Sequence, residues 1–391
     1  MSEVKDIKYL RGQIDIIDRQ MVSLFRQRME VSKDVAAYKI ANGVPVLDPE
    51  RERQVLEAKA AMVADPQLKT DVAKLYETIM SMSRACQRRV MRDQEPEPPG
   101  FFRQYAETEH PVEDPRMVYQ GMPGAYSEEA AVNFFGPQVR SQGLNRFEDA
   151  FEALACGEAD YAVLPIENST TGAIRQVYDL LLQYQFYLVG ETTVKVEHCL
   201  MALPGVKMEE ITHVYSHEQG LFQSDRFLDR YPDWVRVPQL DTAGSAKYVK
   251  EAGDRTKAAI CSQRAADVYG LQILVRGVNH NRENYTRFAV IRAKPELRLG
   301  SDKITAIFHL PHQSGSLHEI LTIFAVNGLN LVKLESRPVA GRKWEYMFVV
   351  EFTGNLQAPG MDAVLRELDQ STDQFRVMGN YAANLGTQDA V

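Results

Sequence analysis

A chain of 391 residues with 45% hydrophobic and 25% charged residues has material for two or three globular domains with sizeable cores. No apolar run reaches the roughly 18 residues of a membrane span, and the opening MSEVKDIKYL lacks the hydrophobic segment of a secretory signal, so no membrane role and a cytoplasmic location are expected. The net charge of −8 is divided: residues 1–92 carry 17 Lys+Arg against 13 Asp+Glu and the remainder 28 against 40, a local basic surplus that suits a small anion better than nucleic acid.

From residue 7 to residue 41 there is no proline and one glycine. Leu10, Ile14, Ile17, Met21, Leu24, Val31 and Val35 fall on one stripe at about 100° per residue, which predicts a long amphipathic helix. Arg28 and Lys39 lie on the centre line of that stripe. A buried cation is costly without an anion, so a negatively charged ligand is expected in this helical core; snorkelling outward or pairing with a structural Glu is the plainer alternative. The two cations are eleven residues apart, about 16 Å along the axis, so their side chains can converge on one small ligand. Arg11 lies about 25 Å from Arg28 and, if functional, must serve the site of a second subunit. Asn42-Gly43-Val44-Pro45 stops the helix, and helical periodicity returns over residues 49–63 and 68–91. Residues 1–92 are thus a three-helix unit whose long first helix outruns its partners and favours an interlocked dimer.

Residues 93–115, containing EPEPPG, read as a linker. Short apolar strands then alternate with helices: MVYQ before a helix from Ser127, YAVLPI before one from Ala173, ITHVY before one near Gln219, and KAAI before one from Gln263. This predicts an α/β domain with a largely parallel sheet over residues 116–293. Further on, residues 303–310 read as a strand, 317–327 as a helix, 329–334 and 344–351 as strands, 361–368 as a helix and 375–380 as a last strand. The order βαββαβ is that of a small ferredoxin-like sandwich over residues 302–381. Cys86, Cys156, Cys199 and Cys261 have no CxxC spacing and read as reduced, mostly buried thiols. His309 and His312 form an HxxH pair, but on an alternating strand broken by Pro311 they read as structural, so no metal site is expected.

Asp48, Arg51 and Glu52 open the second helix, and Ser83 and Gln87 share a face of the third. With the LDPERER segment and the three cations, this constellation resembles the all-helical chorismate mutases that form the N-terminal module of fused mutase and prephenate dehydratase proteins. The resemblance implies an intertwined dimer in which Arg28, Lys39 and the partner's Arg11 hold the carboxylates and ether oxygen of chorismate. Asp48 and Glu52 would engage the ring hydroxyl and the ether-oxygen side, with Ser83 and Gln87 completing the pocket. The loop at Asp65 and Pro66 is one residue shorter than the family's usual length, which leaves Arg84 and Arg88 open beside Ser83 and Gln87. Rearrangement of chorismate to prephenate is intramolecular, so no nucleophile, metal or cofactor is expected. It calls for a compact substrate conformer and hydrogen-bond donors beside an ether bond that gains negative charge, and a protonated Glu52 is one candidate donor.

Polar clusters follow three strands of the α/β region: Glu167-Asn168-Ser169-Thr170-Thr171-Gly172, Ser216-His217-Glu218-Gln219 and Asn284-Tyr285-Thr286-Arg287-Phe288. Each alone reads as a helix cap or turn. Together GMPGAYSEEAA, LPIENSTTGAI, VYSHEQGLFQ, DTAGSA and NYTRFAVI resemble, in order and spacing, the prephenate dehydratase domain. That implies a two-lobed, periplasmic-binding-protein-like fold with the site in the cleft. Thr286 would be catalytic, Asn168, Ser169, Thr170 and Gln223 would line the prephenate pocket, and Arg287 would support the site or pair with a prephenate carboxylate. Ala125 stands where the family has Ser or Thr, which removes a substrate hydrogen bond there.

Gly315-Ser316-Leu317-His318 at a helix start and Glu335-Ser336-Arg337-Pro338 after a strand resemble the ACT family of amino-acid sensors. The resemblance implies that Gly315, Ser316, Leu317, Glu335, Ser336, Arg337 and Pro338 bind L-phenylalanine as a regulator, in a homodimer or higher homo-oligomer. A multidomain α and α/β bifunctional enzyme of phenylalanine biosynthesis is therefore expected. The rivals are a non-catalytic amino-acid sensor, a dehydratase with a degenerate mutase domain, and a mutase fused to a dehydrogenase, the last lacking any GxGxxG.

Overall fold

A computed structural model of the chain describes residues 6–92, 110–296, 298, 300–310, 315–338 and 346–384. Three helices come first: α1 (Ile7–Asn42), α2 (Pro49–Ala60) and α3 (Pro66–Arg92). Gly43, at φ 64°, ends α1 with its N–H bonded back to the Ile40 and Lys39 carbonyls. Asp48 caps α2 by accepting from the Arg51 N–H, and Pro49 occupies the first helical position, where no N–H is needed.

Much of the apolar stripe of α1 is left uncovered by the described residues. Ile14, Ile17 and Leu24 are 56%, 53% and 64% exposed, and the buried residues of the helix are Ser32 and Ala36. The reason is length: α1 has 36 residues, whereas α2 and α3 have 12 and 27. Arg28 and Lys39 are accordingly half-buried.

Along the α/β region follow β1 (Arg116–Gln120), α4 (Tyr126–Phe135), β2 (Arg140–Leu144), α5 (Phe147–Ala155), β3 (Tyr161–Asn168), β4 (Gly172–Ala173), α6 (Arg175–Tyr184) and β5 (Tyr187–Lys195). Then come β6 (Cys199–Ala202), β7 (His213–His217), α7 (Glu218–Gln223), α8 (Asp225–Leu228), β8 (Val235–Gln239), α9 (Thr242–Ala252), β9 (Lys257–Cys261), α10 (Gln263–Tyr269), β10 (Gln272–Val275) and β11 (Tyr285–Arg292). They build two sheets, of order β2-β1-β3-β11-β5 and β10-β6-β9-β7-β8, with β4 paired to β3.

Neither sheet is largely parallel, contrary to the alternation of the sequence. β1 is parallel to β2 and β3, but β11 runs antiparallel between β3 and β5; β7 is parallel to β8 and β9, but β6 is antiparallel to β9 and β10. The chain crosses to the second sheet after β5, entering it as β6, and returns to the first as β11; β6 runs against its neighbours in the second sheet and β11 against its neighbours in the first. The helix expected from Ala173 starts at Arg175 because Gly172 and Ala173 pair back on Asn168 and Glu167. Cys199 and Cys261 face each other across β6 and β9 and are buried, whereas Cys156 is exposed; all four thiols are free.

The C-terminal segment runs β12 (Lys303–Leu310), α11 (Ser316–Val326), β13 (Leu331–Pro338), β14 (Tyr346–Thr353), α12 (Met361–Ser371) and β15 (Asp373–Tyr381). Its sheet has the order β13-β14-β12-β15, the second, third, first and fourth strands of a ferredoxin-like unit. The core of the first lobe, with Phe151, Leu164, Ile166 and Leu181, continues into Ile307, Val349 and Met378 of this sheet. Gly379 permits that approach, since a Cβ there would lie 2.0 Å from the Leu188 carbonyl oxygen. Two compact units result: one groups α1, α2 and α3 with α11 and α12, and the other holds the three sheets with α4 to α10.

Candidate active sites

In the helical unit, the Arg28 guanidinium donates to the Ser83 hydroxyl and, at 3.4 Å, to the Ile79 carbonyl. Lys39 donates to the Val46 carbonyl, at the entry to the Asp48 cap. Glu52 accepts at 2.6 Å through both oxygens from Arg84. Ser83 and Gln87 are both buried, and the Gln87 side-chain oxygen has no partner among the described residues. An orphaned buried amide is costly unless a ligand meets it. It is therefore Ser83, not Arg84, that meets Arg28, while Arg84 turns to Glu52. Both Glu52 oxygens accept from that one guanidinium. Arg11 is exposed, seventeen residues before Arg28 on α1, and is not brought to the other cations.

In the α/β region a buried polar network spans the two lobes. Asn168, at the end of β3, accepts through Oδ1 from the backbone N–H groups of Thr170 at 3.0 Å and Thr171 at 3.1 Å. Those two bonds fix which end of the amide is oxygen. Its Nδ2 therefore donates, to Asn284 Oδ1 at 2.8 Å and to Thr286 Oγ1 at 2.9 Å. Asn284 Nδ2 donates in turn to Gln223 Oε1 at 3.2 Å, and the His198 Nε2 lies 3.0 Å from the same oxygen. Ser169 is spent on the loop, bonded to the Tyr285 N–H and the Glu283 carbonyl, while Thr170 joins Asn284 and Asn281. The lobes are also latched by Arg264 on Glu128 at 3.0 Å and by Ser262 on the Gly124 carbonyl at 2.7 Å.

A family model described as prephenate dehydratase matches residues 117–296, one described as chorismate mutase type II matches residues 10–88, and one described as ACT domain matches residues 304–370. The bifunctional chorismate mutase/prephenate dehydratase of Escherichia coli (strain K12) is 32% identical over 388 residues, 97% of each chain. The chain belongs to that bifunctional family. Arogenate dehydratase/prephenate dehydratase 6, chloroplastic, of Arabidopsis thaliana is 37% identical over 287 residues, 69% of each chain. The solved prephenate dehydratase of Arthrobacter aurescens in complex with L-Phe has a TM-score of 0.62 at 30% identity, over 68% of this chain and 90% of that one.

Within the dehydratase module Arg287, expected to support the site or to pair with a prephenate carboxylate, meets carboxylates of the protein itself. It alternates with Thr286 along β11 and so faces the other way, where it pairs with Glu167 at 2.6 Å, Glu191 at 2.9 Å and Glu351 at 2.8 Å. Burial opposes its charge, but Glu351, with smaller contributions from Tyr381 and Tyr178, outweighs that and raises its pKa. Burial likewise pushes Glu351 and Glu167 up, and the Arg287 guanidinium brings both below the usual carboxylate range. Lys303 on β12 and Lys333 on β13 close the cluster on Glu191 and Glu167. Arg287 thus ties β11 to the ACT sheet.

Of the residues expected to bind an effector, Gly315 caps the start of α11 with φ 93°, a conformation that favours glycine. On β13, Lys333 pairs with Glu335, while Arg337 is buried on the Arg175 carbonyl and pairs with Asp179 at 3.1 Å. Among the described residues no three His, Cys, Asp or Glu side chains are grouped to hold a metal; His312 lies outside them.

His198 is the residue that motif reading missed, since one histidine before CLMA carries no periodic signal. Burial lowers its imidazole from 6.5 to about 4, with the Gln223 bond opposing the fall, so it is neutral in the folded enzyme at neutral pH. Below pH 6.5 the unfolded chain takes up a proton that the folded chain refuses until about 4. Stability therefore falls as pH falls across that window, by up to about 3 kcal/mol. Urea-unfolding midpoints measured from about pH 7 to about pH 4.5 should drop less steeply for His198→Gln than for the wild type. Parallel curves would remove this account.

Proposed function

We infer that the chain carries out two consecutive steps: the helical module rearranges chorismate to prephenate, and the α/β cleft converts prephenate to phenylpyruvate under control of L-phenylalanine at the ACT domain. In the first module Arg28, Lys39 and the partner's Arg11 hold the substrate's anionic groups in a compact conformer. Lys39 meets the ether oxygen as the carbon–oxygen bond breaks, Asp48 and Glu52 engage the ring hydroxyl and the ether-oxygen side, and Ser83, which meets Arg28, completes the pocket with Gln87. Such a site works by orientation and by charge placed in advance, and the open apolar stripe of α1 supports a second copy of the chain as its cover.

In the second step the ring carboxylate leaves as carbon dioxide, its bonding pair enters the ring, and the ring hydroxyl departs with the carbon–oxygen pair, taking up a proton as water. The observation that carries the reading is the direction of the Asn168–Thr286 bond. Because Thr286 Oγ1 accepts from Asn168, its own hydrogen is free for the departing hydroxyl. A hydroxyl is a weak acid in water, but a fixed donor in a dry cleft stabilises charge as it develops.

The test is a paired assay of chorismate loss and phenylpyruvate formation on the full chain, with prephenate also supplied directly. Both reactions should proceed, and L-phenylalanine should lower the second. A well-folded chain that binds L-phenylalanine and turns over neither substrate would return the reading to a sensor.

A further inference from the structure

Arg84 and Arg88 lie buried on α3, each 9% exposed, at the positions next to Ser83 and Gln87. Two cations in so little water must be met by carboxylates, and the carboxylates come from two different domains. Arg84 Nη1 donates to both oxygens of Glu52 at 2.6 Å, while its Nε donates to Glu319 of α11 at 3.1 Å. Arg88 lies 3.7 Å from Glu319 and 3.4 Å from Glu367 of α12. Glu319 stands one turn after Ser316, in the first turn of the helix that the effector motif opens. All of these residues belong to one compact unit.

We propose that Arg84 is a positioning residue of the mutase: it sets the Glu52 carboxylate, and its shared bond to Glu319 makes the mutase rate follow the placement of α11. A guanidinium is a planar fork with donors in fixed directions, so a shift of Glu319 turns the edge that holds Glu52. A rearrangement accelerated by orientation is sensitive to displacements of about 1 Å in the groups that surround it. The ACT helix thereby reaches the mutase site without touching its substrate. The proposal rests on the placement of Glu52 in that site.

The experiment measures mutase kcat and KM in the full chain, with and without L-phenylalanine, and follows dehydratase turnover of prephenate as a check on folding. Arg84→Gln should lower mutase kcat about tenfold with KM changed less than about twofold, because it disturbs orientation more than binding. Arg84→Lys should restore most of kcat, since an ammonium reaches Glu52, but it cannot span to Glu319 and should lose the mutase response to L-phenylalanine. Glu319→Gln should keep kcat and lose the same response, while the dehydratase remains sensitive. A slow Glu52→Gln beside an Arg84→Gln at full mutase rate overturns the proposal alone, and Glu52→Gln at full rate removes the site assignment beneath it. A Glu319→Gln mutase that follows L-phenylalanine as the wild type does, or a wild-type mutase indifferent to it, also overturns the proposal.

Discussion

Thr286→Ala should lower dehydratase kcat by about 10²–10³-fold, the usual cost of losing one donor aimed at developing charge, and leave mutase turnover in the same chain unchanged. The expectation follows from the bonds around the hydroxyl. Asn168 is locked by two backbone N–H groups and can only donate to Thr286, which leaves the threonine hydrogen without a protein acceptor in that network. Thr286→Ser keeps the hydroxyl and should keep most of the rate. Thr286→Val keeps the shape but strands the Asn168 amide without its Thr286 acceptor, and should be as slow as alanine. If valine turns over prephenate at the wild-type rate, the hydroxyl is not the donor.

How much of this was legible in the sequence depends on how local the signal is. The ends of α1 and α2 were legible because Gly43, Asp48 and Pro49 impose them through their own backbone chemistry. The cluster at Asn168 ends β3 and the one at Thr286 opens β11, and strand ends are where open α/β folds collect ligands, which is why both read as candidate sites. For Arg287 the resemblance left open support of the site or a pair with a prephenate carboxylate; adjacent residues of a strand face opposite ways, and on its face, away from Thr286, are carboxylates from β3, β5 and β14. No pattern along the chain announces that Glu351, sixty-four residues away, will be there. The mixed sheets escaped the reading for a related reason: alternation of strands and helices fixes each βα step, whereas the direction of β11 is set where the chain returns from the second lobe.

The cations of α1 give the second large effect. Arg11→Ala and Arg28→Ala should each lower mutase kcat/KM by about 10²-fold or more, as expected when a group that grips an anionic substrate is removed. Arg28 faces Ser83 within its own chain, whereas Arg11 sits exposed near the far end of a 36-residue helix whose apolar stripe lies open. If that stripe is covered by a second copy, each site takes Arg28 from one chain and Arg11 from the other. The two variants, co-expressed under different affinity tags, then complement. In a mixed dimer one site carries both substitutions and the other carries neither, so random pairing restores about a quarter of wild-type activity, and dimers purified through both tags about half. Were Arg11 to act within its own chain, every site in the mixture would lack one arginine, and the activity would stay at the level of the parents. The mixing experiment thus separates a site built by two chains from one built by a single chain, and it does so without any structure of the dimer.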